Sequence, residues 1–214
     1  MTEFDLAQTD QLLTTTKQVR KRLDFDREVP RQVLLDCIEV AGRAPMGGNL
    51  ERNKWLIVED PETKAKIGEL YLQNAIPYLE ASETVQTDDR GGRVASSARY
   101  LAERMGEVPA MVIPLRLDRM EGAASGDQAG WWGSVLPGVW SFQLALRSRG
   151  LGSCWTTLHL PSEREAGELL GIPETVTQCA LIPVGYYTGD GFSVAPRRPA
   201  SDITFIDTWG NKAG

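Results

Sequence analysis

WWGSVLPGVWSFQLALRSR, residues 131–149, is the stretch that decides the fold. Val135, Val139, Phe142 and Leu146 recur in it at helical spacing, with small residues between them. This pattern predicts a long helix that is apolar on most of its sides. Such a helix must be buried, either in the core of one domain or between two copies of the chain. Residues 150–152, which include two glycines, end it.

Helices and short strands alternate on both sides of this helix. Periodicity predicts helices over residues 5–23 (or a break near residues 14–16), 30–44, 61–71, 94–105 and 162–170, and strands over residues 55–58, 109–117, 154–160 and 178–187. Ser162 is expected to cap the helix that follows it, with Glu165 as capping-box partner. Residues 73–93 are polar and irregular, which favours a mobile loop or lid. This order predicts an α+β fold in which helices cover both faces of a small sheet.

Length and composition indicate a single domain over residues 1–214. Hydrophobic residues make up 42% of the chain and charged residues 24%, as in ordinary globular proteins. The net charge of −6 disfavours the broad basic face that nucleic acid requires. The N-terminal residues do not follow a signal-peptide pattern, and no run of about 18 apolar residues occurs. We therefore expect no nucleic-acid or membrane partner and a cytoplasmic location.

Cysteine and histidine provide no framework for a metal or a disulfide. Cys37, Cys154 and Cys179 lack a Cys-x-x-Cys spacing, and His159 is the only histidine. A disulfide framework, a zinc site and any mechanism built on paired imidazoles are therefore not expected. A structural role is expected for His159.

Three separated segments carry the candidate chemistry. Residues 16–22, TKQVRKR, form a basic run that can pair with a phosphate. In residues 44–49, APMGGN, the glycine pair allows backbone to approach a flat ligand, and Asn49 offers both a donor and an acceptor. Residues 150–157, GLGSCWTT, offer backbone N–H groups, and Arg197 and Arg198 follow later. The structural alternatives are a solvated charged face, a plain helix-to-strand turn, and a buried strand with an exposed basic turn.

In this order, the segments resemble the nitroreductase-like family of FMN-dependent oxidoreductases, over residues 12–199. The family pattern Arg-Ser-x-Arg is matched by residues 17–20, Ala-Pro-Ser/Thr-Gly/Ser-x-Asn by residues 44–49, and Gly-Leu-Gly-x-x-Trp by residues 150–155. The resemblance implies a nitroreductase-like fold, with a small, mostly antiparallel sheet flanked by helices, in an intertwined homodimer. It also implies that the C-terminal extension, residues 189–214, packs on the partner subunit.

The resemblance implies binding roles for particular residues. Those expected to hold the FMN phosphate are Lys17, Arg20 and Arg197 or Arg198, while Gln18 is expected at the ribityl or pyrimidine side. The residues expected to line the isoalloxazine, from the other subunit, are Pro45, Met46, Gly47 and Asn49. Backbone groups of Trp155, Thr156 and Thr157 are expected to face flavin N5. Candidates for the acceptor pocket are Trp131, Trp132 and Tyr78 or Tyr100, with core or dimer packing as the alternative.

Three positions depart from the family pattern. Lys17 replaces an arginine, which keeps the charge but loses the bidentate fork. Gln18 replaces a small hydroxyl residue. Glu51 stands where a glutamine is common, and a carboxylate near the flavin pyrimidine would disfavour the anionic reduced form.

The implied activity is that of an NAD(P)H oxidoreductase. NADH or NADPH would pass a hydride to flavin N5 and leave, and a small electron-poor acceptor, such as a nitroaromatic or a quinone, would then be reduced in a ping-pong cycle. Because the flavin carries the chemistry, no catalytic side chain is expected. Alternatives are ene reduction, dehalogenation or flavin fragmentation in the same fold, or a non-catalytic dimer that binds or sequesters flavin.

Overall fold

The computed structural model describes residues 4–83 and 89–213. The chain groups into two compact units. Thr16–Asp190 forms the larger unit, and the described parts of Met1–Thr15 and Gly191–Gly214 form the smaller one. The single domain expected over residues 1–214 stays a prediction.

Helices and strands alternate along the described residues. The helices are α1 (Leu6–Thr15), α2 (Arg31–Ala41), α3 (Pro61–Glu83), α4 (Asp89–Glu103), α5 (Ser125–Ser148), α6 (Glu163–Leu170) and α7 (Ala200–Ile203). The strands are β1 (Asn53–Val58), β2 (Ala110–Arg116), β3 (Leu151–Ser153), β4 (Thr177–Gln178) and β5 (Ile182–Tyr186). Short 3-10 helices occur at Gly47–Asn49, Met105–Glu107 and Leu160–Ser162.

The five strands form one small sheet in the order β1-β2-β5-β3, and β4 also pairs with β2. Every pairing between these strands is antiparallel. β2 is buried at all seven positions, which fits its continuous apolar run and its central place in the sheet. The small antiparallel sheet with accompanying helices confirms the predicted α+β fold class.

α5 is the central helix of the larger unit, as residues 131–149 predict. Val135, Val139, Phe142 and Leu146 are each 3% exposed or less and belong to the main apolar core. The helix begins at Ser125, six residues before the predicted stretch. α2 packs along it, and Gly138 permits close approach, because a Cβ there would lie 3.4 Å from the carbonyl oxygen of Ala41.

α3 and α4 overturn the prediction of an irregular segment over residues 73–93. α3 continues through Pro77 to Glu83, and α4 begins at Asp89. Residues 84–88 lie outside the described residues. Ile67, Tyr71, Ala75 and Leu79 are buried, so the four-residue apolar repeat continues past the predicted helix end at residue 71. Burial of this face stabilises the helix even though Pro77 removes one backbone donor.

Two of the predicted strands differ from the structure, those over residues 154–160 and 178–187. The strand expected over residues 154–160 is wrong: β3 (Leu151–Ser153) ends before it, and the expected range contributes an isolated bridge between Thr156 and Leu181. The strand expected over residues 178–187 is split into β4 and β5. Between them, Cys179 still donates its N–H to Pro114 of β2, whereas Leu181 exchanges both backbone hydrogen bonds with Thr156, so the pairing with β2 is interrupted there.

Ser162 occupies the N-cap position of α6, but its side chain does not cap the helix. Its hydroxyl instead accepts a hydrogen bond from Asn74 Nδ2 at 2.9 Å. The predicted capping box with Glu165 is therefore wrong, because the hydroxyl holds α3 in place.

The smaller unit contains α1 and the C-terminal segment. α1 ends at Thr15 rather than at residue 23; the break expected near residues 14–16 falls at this end, but residues 16–23 are not helical. In the C-terminal segment, Phe205 bridges to Lys212 and its ring lies 4.6 Å from that of Trp209. Trp209 is 91% exposed. The segment is therefore locally ordered and carries exposed apolar surface.

Candidate functional site

The candidate site is a cavity of about 260 Å³ in the larger unit, called here the Arg20 cavity. One wall comes from α3, one from α4 and one from the segment that follows β3. Its lining residues are Arg20, Tyr71, Tyr78, Leu79, Ser82, Val94, Ala95, Ala98, Trp155, Thr156, Thr157 and Leu158. Two of the three segments singled out in the sequence thus meet at one cavity.

Close packing against β3 sets the position of Arg20. Val19 donates its N–H to the carbonyl of Ser153 at 2.8 Å and is almost fully buried. A Cβ on Gly152 would come within 2.9 Å of the Val19 side chain, so the basic turn can approach the strand only because residue 152 is glycine. Arg20, the next residue, is therefore held at the rim of the cavity.

The backbone donors of residues 155–157 are not equivalent. Gln18 Oε1 accepts the N–H of Trp155. The N–H and the hydroxyl of Thr156 both donate to the carbonyl of Leu181, at 3.1 and 2.6 Å. The N–H of Thr157 has no hydrogen-bond acceptor among the described residues. Among residues 155–157, the N–H of Thr157 is therefore the one that no other described group of the chain accepts.

The described lining of the Arg20 cavity carries no carboxylate, and Arg20 is its charged group. Burial raises the pKa of Tyr71 to about 12, so its hydroxyl stays protonated at neutral pH. Burial also raises the pKa of the neighbouring Cys154 thiol, although the Arg20 guanidinium acts in the opposite direction. The cavity can therefore attract an anion and offers hydroxyl donors, but it holds no thiolate nucleophile.

The segment at residues 44–49 lies elsewhere in the same chain. Ala44 and Met46 line a second cavity of about 250 Å³, called here the Met46 cavity, which also includes Glu51. Gly48 and Asn49 have φ angles of 62° and 53°, in the left-handed region. The two cavities have no described lining residue in common. One chain therefore does not bring the expected phosphate and ring segments together at one cavity.

The other basic residues of the sequence prediction do not line the Arg20 cavity. Lys21 Nζ donates to Ser96 Oγ on α4 at 2.8 Å, and Arg22 Nε donates to the carbonyl of Thr188 at 2.6 Å. Lys17 is partly buried. Arg197 and Arg198 belong to the smaller unit, where both are exposed. A phosphate role for Lys17, Arg197 and Arg198 stays a prediction.

The aromatic candidates divide between core and cavity. Trp131 is buried, donates to Asp118 Oδ1 at 2.6 Å, and meets Trp132 edge-on at 4.6 Å. The Tyr100 hydroxyl accepts a hydrogen bond from Arg104 Nη1 at 2.6 Å. None of these three aromatics lines the Arg20 cavity, whereas Tyr78 does. Their acceptor-pocket role stays a prediction, and Trp131 makes the core contacts of the stated alternative.

Sequence reasoning missed Tyr71 and the α4 wall of the cavity. The predicted helix ends at residue 71, which leaves no face on which Tyr71 and Leu79 line up. A four-residue repeat from Ile67 to Leu79 was available as a signal. The α4 residues Val94, Ala95 and Ala98 carry no comparable signal, since small apolar residues are common on any packed helix.

Residues 4–83 and 89–213 present neither a cluster of metal-ligating side chains nor a membrane-spanning helix. No group of three or more His, Cys, Asp or Glu side chains there is arranged to hold a metal ion. No helix in those ranges combines the length and apolar character of a transmembrane segment.

Known proteins resemble the chain over most of its length. A sequence model described as the Nitroreductase family matches residues 15–186. The chain is 24% identical to mouse (Mus musculus) iodotyrosine deiodinase 1 over 204 residues, covering 92% of this chain and 68% of that protein.

Solved structures show the same fold. An oxidised iodotyrosine deiodinase bound to FMN and 3-iodo-L-tyrosine is similar with a TM-score of 0.65 and 24% identity, covering 88% of this chain and 94% of that one. The FMN- and NADPH-dependent nitroreductase NfnB from sphigopyxis sp. strain HMH is similar with a TM-score of 0.69 and 20% identity, covering 94% of this chain and 99% of that one.

Proposed function

Because this chain belongs to the nitroreductase family, we propose that it is an FMN-dependent NAD(P)H oxidoreductase that reduces a small electron-poor acceptor and works as a homodimer. The observation that carries the proposal is the Arg20 cavity, where the family's basic turn and its Gly-Leu-Gly-x-x-Trp segment meet. Val19, in the basic turn, packs against Gly152 of the Gly-Leu-Gly-x-x-Trp segment, and this contact holds the two segments together.

The residues present fit an anionic flavin cofactor. Arg20 offers a guanidinium for a phosphate, and no described lining residue is a carboxylate that would repel it. The N–H of Thr157 is available for an acceptor atom of the ring, while Trp155 and Thr156 use their N–H groups within the chain. We assign Gln18 to holding this segment, since its side-chain carbonyl accepts the N–H of Trp155.

A second copy of the chain would complete the site. The ring segment at residues 44–49 lies at the Met46 cavity, which shares no described lining residue with the Arg20 cavity. If both segments bind one flavin, their contribution from two different chains would account for their lining separate cavities here. This supports the homodimer that the family resemblance implies.

α5 supplies a surface on which two copies can meet. Gly126, Gly130 and Gly133 follow one another at helical spacing, and a Cβ on any of them would meet nothing within 4 Å. Leu136 and Trp140 continue this apolar surface and are 43% and 39% exposed. An exposed apolar face on a central helix is typical of a protein interface. We propose that the C-terminal segment, with exposed Trp209, packs on the same partner.

The chain's own groups would bind and orient rather than carry the chemistry. FMN, when bound, supplies hydride transfer between NADH or NADPH and the acceptor at its N5 position. Arg20 would fix the charged end of the cofactor, and Thr157 would fix the ring. The Tyr71 hydroxyl, whose pKa burial raises to about 12, would stay a neutral donor.

Reductive dehalogenation is the second candidate function. It is favoured by the similarity to mouse iodotyrosine deiodinase 1, which extends over 92% of this chain. The two candidates share the cofactor site and differ in the acceptor.

A flavin and acceptor test distinguishes these functions. We expect purified protein to bind FMN and NAD(P)H to bleach the bound flavin anaerobically. Nitroaromatics, quinones and 3-iodo-L-tyrosine should then be compared as reoxidants, with product analysis for released iodide. A protein that binds no FMN would overturn the proposal, and FMN binding without turnover on any acceptor would favour a sequestering role.

A further inference from the structure

The turn at Met46–Leu50 is exposed and conformationally demanding. Gly48 and Asn49 both adopt left-handed φ angles, which a residue with a side chain adopts reluctantly. Inside the turn, Asn49 donates to the carbonyl of Met46 at 3.0 Å and Leu50 to that of Gly47 at 3.3 Å. Residues 47–50 are all exposed. Burial of the turn's own side chains therefore does little to hold it.

A buried serine on α5 ties this turn to the core. Ser134 is 3% exposed, and its Oγ accepts the N–H of Gly47 at 3.0 Å while donating to the carbonyl of Gly130 at 2.9 Å. The two bonds use the hydroxyl as donor and as acceptor at once. A Cβ on Gly47 would lie 3.1 Å from the same oxygen, so an alanine there would push the hydroxyl or the turn aside by a few tenths of an ångström.

The backbone around Ser134 is itself anchored to the sheet. Asn53 Nδ2, on β1, donates to the carbonyl of Ser134 at 2.8 Å. Asn53 Oδ1 faces Arg116 Nη1 of β2 at 3.5 Å, and Arg116 is buried and paired with Asp118 at 2.8 Å. The hydroxyl that meets the turn is thus fixed from the helix, from β1 and from β2.

We propose that Ser134 is a positioning residue for the flavin. Its hydroxyl holds Gly47 so that Met46 and Asn49 are presented in one conformation to the flavin bound at the Arg20 cavity of a second copy. This inference rests on the proposed function. Ser134 also follows Gly133 of the exposed α5 surface, so the helix that would form the interface also sets the ring-side turn.

Ser134→Ala tests the proposal with little disturbance of the fold. The exposed Gly47 N–H can turn to water, so the melting temperature of the apoprotein should stay close to that of the wild type. The dissociation constant for FMN should rise about tenfold, as expected when one positioning hydrogen bond is lost. The midpoint potential of bound FMN should change, because the ring loses the fixed contact of the turn, and the amides of residues 47–50 should exchange faster with solvent in the apoprotein.

Ser148→Ala is the matched control. Ser148 is another α5 serine that donates to its own helix, at 2.9 Å to the carbonyl of Ala145, but it is exposed and far along the helix from the turn. The Ser148→Ala variant should leave the FMN affinity, the midpoint potential of bound FMN and the amide exchange of residues 47–50 unchanged. Ser134→Thr, which keeps the hydroxyl, should restore at least part of the affinity.

The outcomes separate the two proposals. Wild-type protein that binds no FMN would overturn the proposed function and, with it, the flavin role of Ser134. The other outcome is that wild-type protein binds FMN and that Ser134→Ala matches it in FMN affinity, midpoint potential and amide exchange. That outcome would overturn the positioning role and leave the proposed function standing.

Discussion

Val19 lies against the Cα of Gly152 with no room for a side chain between them. A Cβ on Gly152 would come 2.9 Å from the Cβ of Val19, and the Val19 N–H donates to the neighbouring Ser153. This contact joins the basic turn to the strand and so places Arg20 at its cavity.

Gly152→Ala should therefore weaken both the fold and the site. Overpacking of this kind costs about 1–3 kcal/mol, and any relief by movement of Val19 would displace Arg20. Chemical denaturation and FMN titration measure the two effects. Gly92→Ala is the control, because a Cβ there meets nothing within 4 Å and α4 favours alanine. Equal stability and FMN affinity for Gly152→Ala and wild type would show that the contact is not restrictive.

Arg20→Ala should reduce FMN affinity at least tenfold, because a charge-assisted hydrogen bond to phosphate contributes about 1.5–3 kcal/mol. Fluorescence titration of FMN measures the change, and riboflavin, which lacks the phosphate, should show a smaller one. Arg31→Ala removes the same charge from an exposed pair with Glu59 and should bind FMN like wild type. An equal loss for riboflavin would place Arg20 away from the phosphate.

Trp140→Glu should dissociate the proposed dimer and abolish tight FMN binding together, since each flavin would need both chains. Light scattering coupled to size exclusion measures the mass, and absorbance measures the flavin carried. Ile76→Glu places the same charge at an equally exposed apolar position on α3, 39% in both cases, and should stay dimeric. A monomeric variant that retains FMN would contradict the shared site.

His159 should make the fold sensitive to acid between pH 6.5 and 4. Burial lowers its pKa from 6.5 to about 4, and the nearby Glu163 opposes the shift only in part. Below pH 6.5 the unfolded chain binds a proton that the folded chain excludes, so stability falls as pH falls and levels off near pH 4. The full loss is about 3 kcal/mol.

Urea unfolding of wild type and His159→Gln across this pH range tests the effect. His159 is the only histidine of the chain, so no other imidazole can produce the slope. The variant should be less stable at pH 7.5 and less dependent on pH down to about pH 5. Parallel curves for the two proteins would assign the acid sensitivity to carboxylates.

Elements with a long, regular pattern of apolar residues could be predicted from the sequence, and elements whose ends depend on distant contacts could not. The α5 pattern runs through several turns, and burial of Val135, Val139, Phe142 and Leu146 makes it unambiguous. The end of α3 was missed because Pro77 and polar neighbours suggest a loop, while packing of Ala75 and Leu79 stabilises the helix. The split between β4 and β5 was missed because Leu181 pairs with Thr156, 25 residues away in sequence.

The sequence by itself determined the fold class and the family, because residue order alone carries helical periodicity and the spacing of the basic turn, the Asn49 turn and the Gly-Leu-Gly segment. Only the tertiary structure decided which groups share a cavity and which donors are still available. Thr156 and Thr157 are adjacent and identical in type, yet one gives its N–H to Leu181 and the other does not. Hydrogen bonding between distant segments makes that difference, and no local pattern in the chain encodes it.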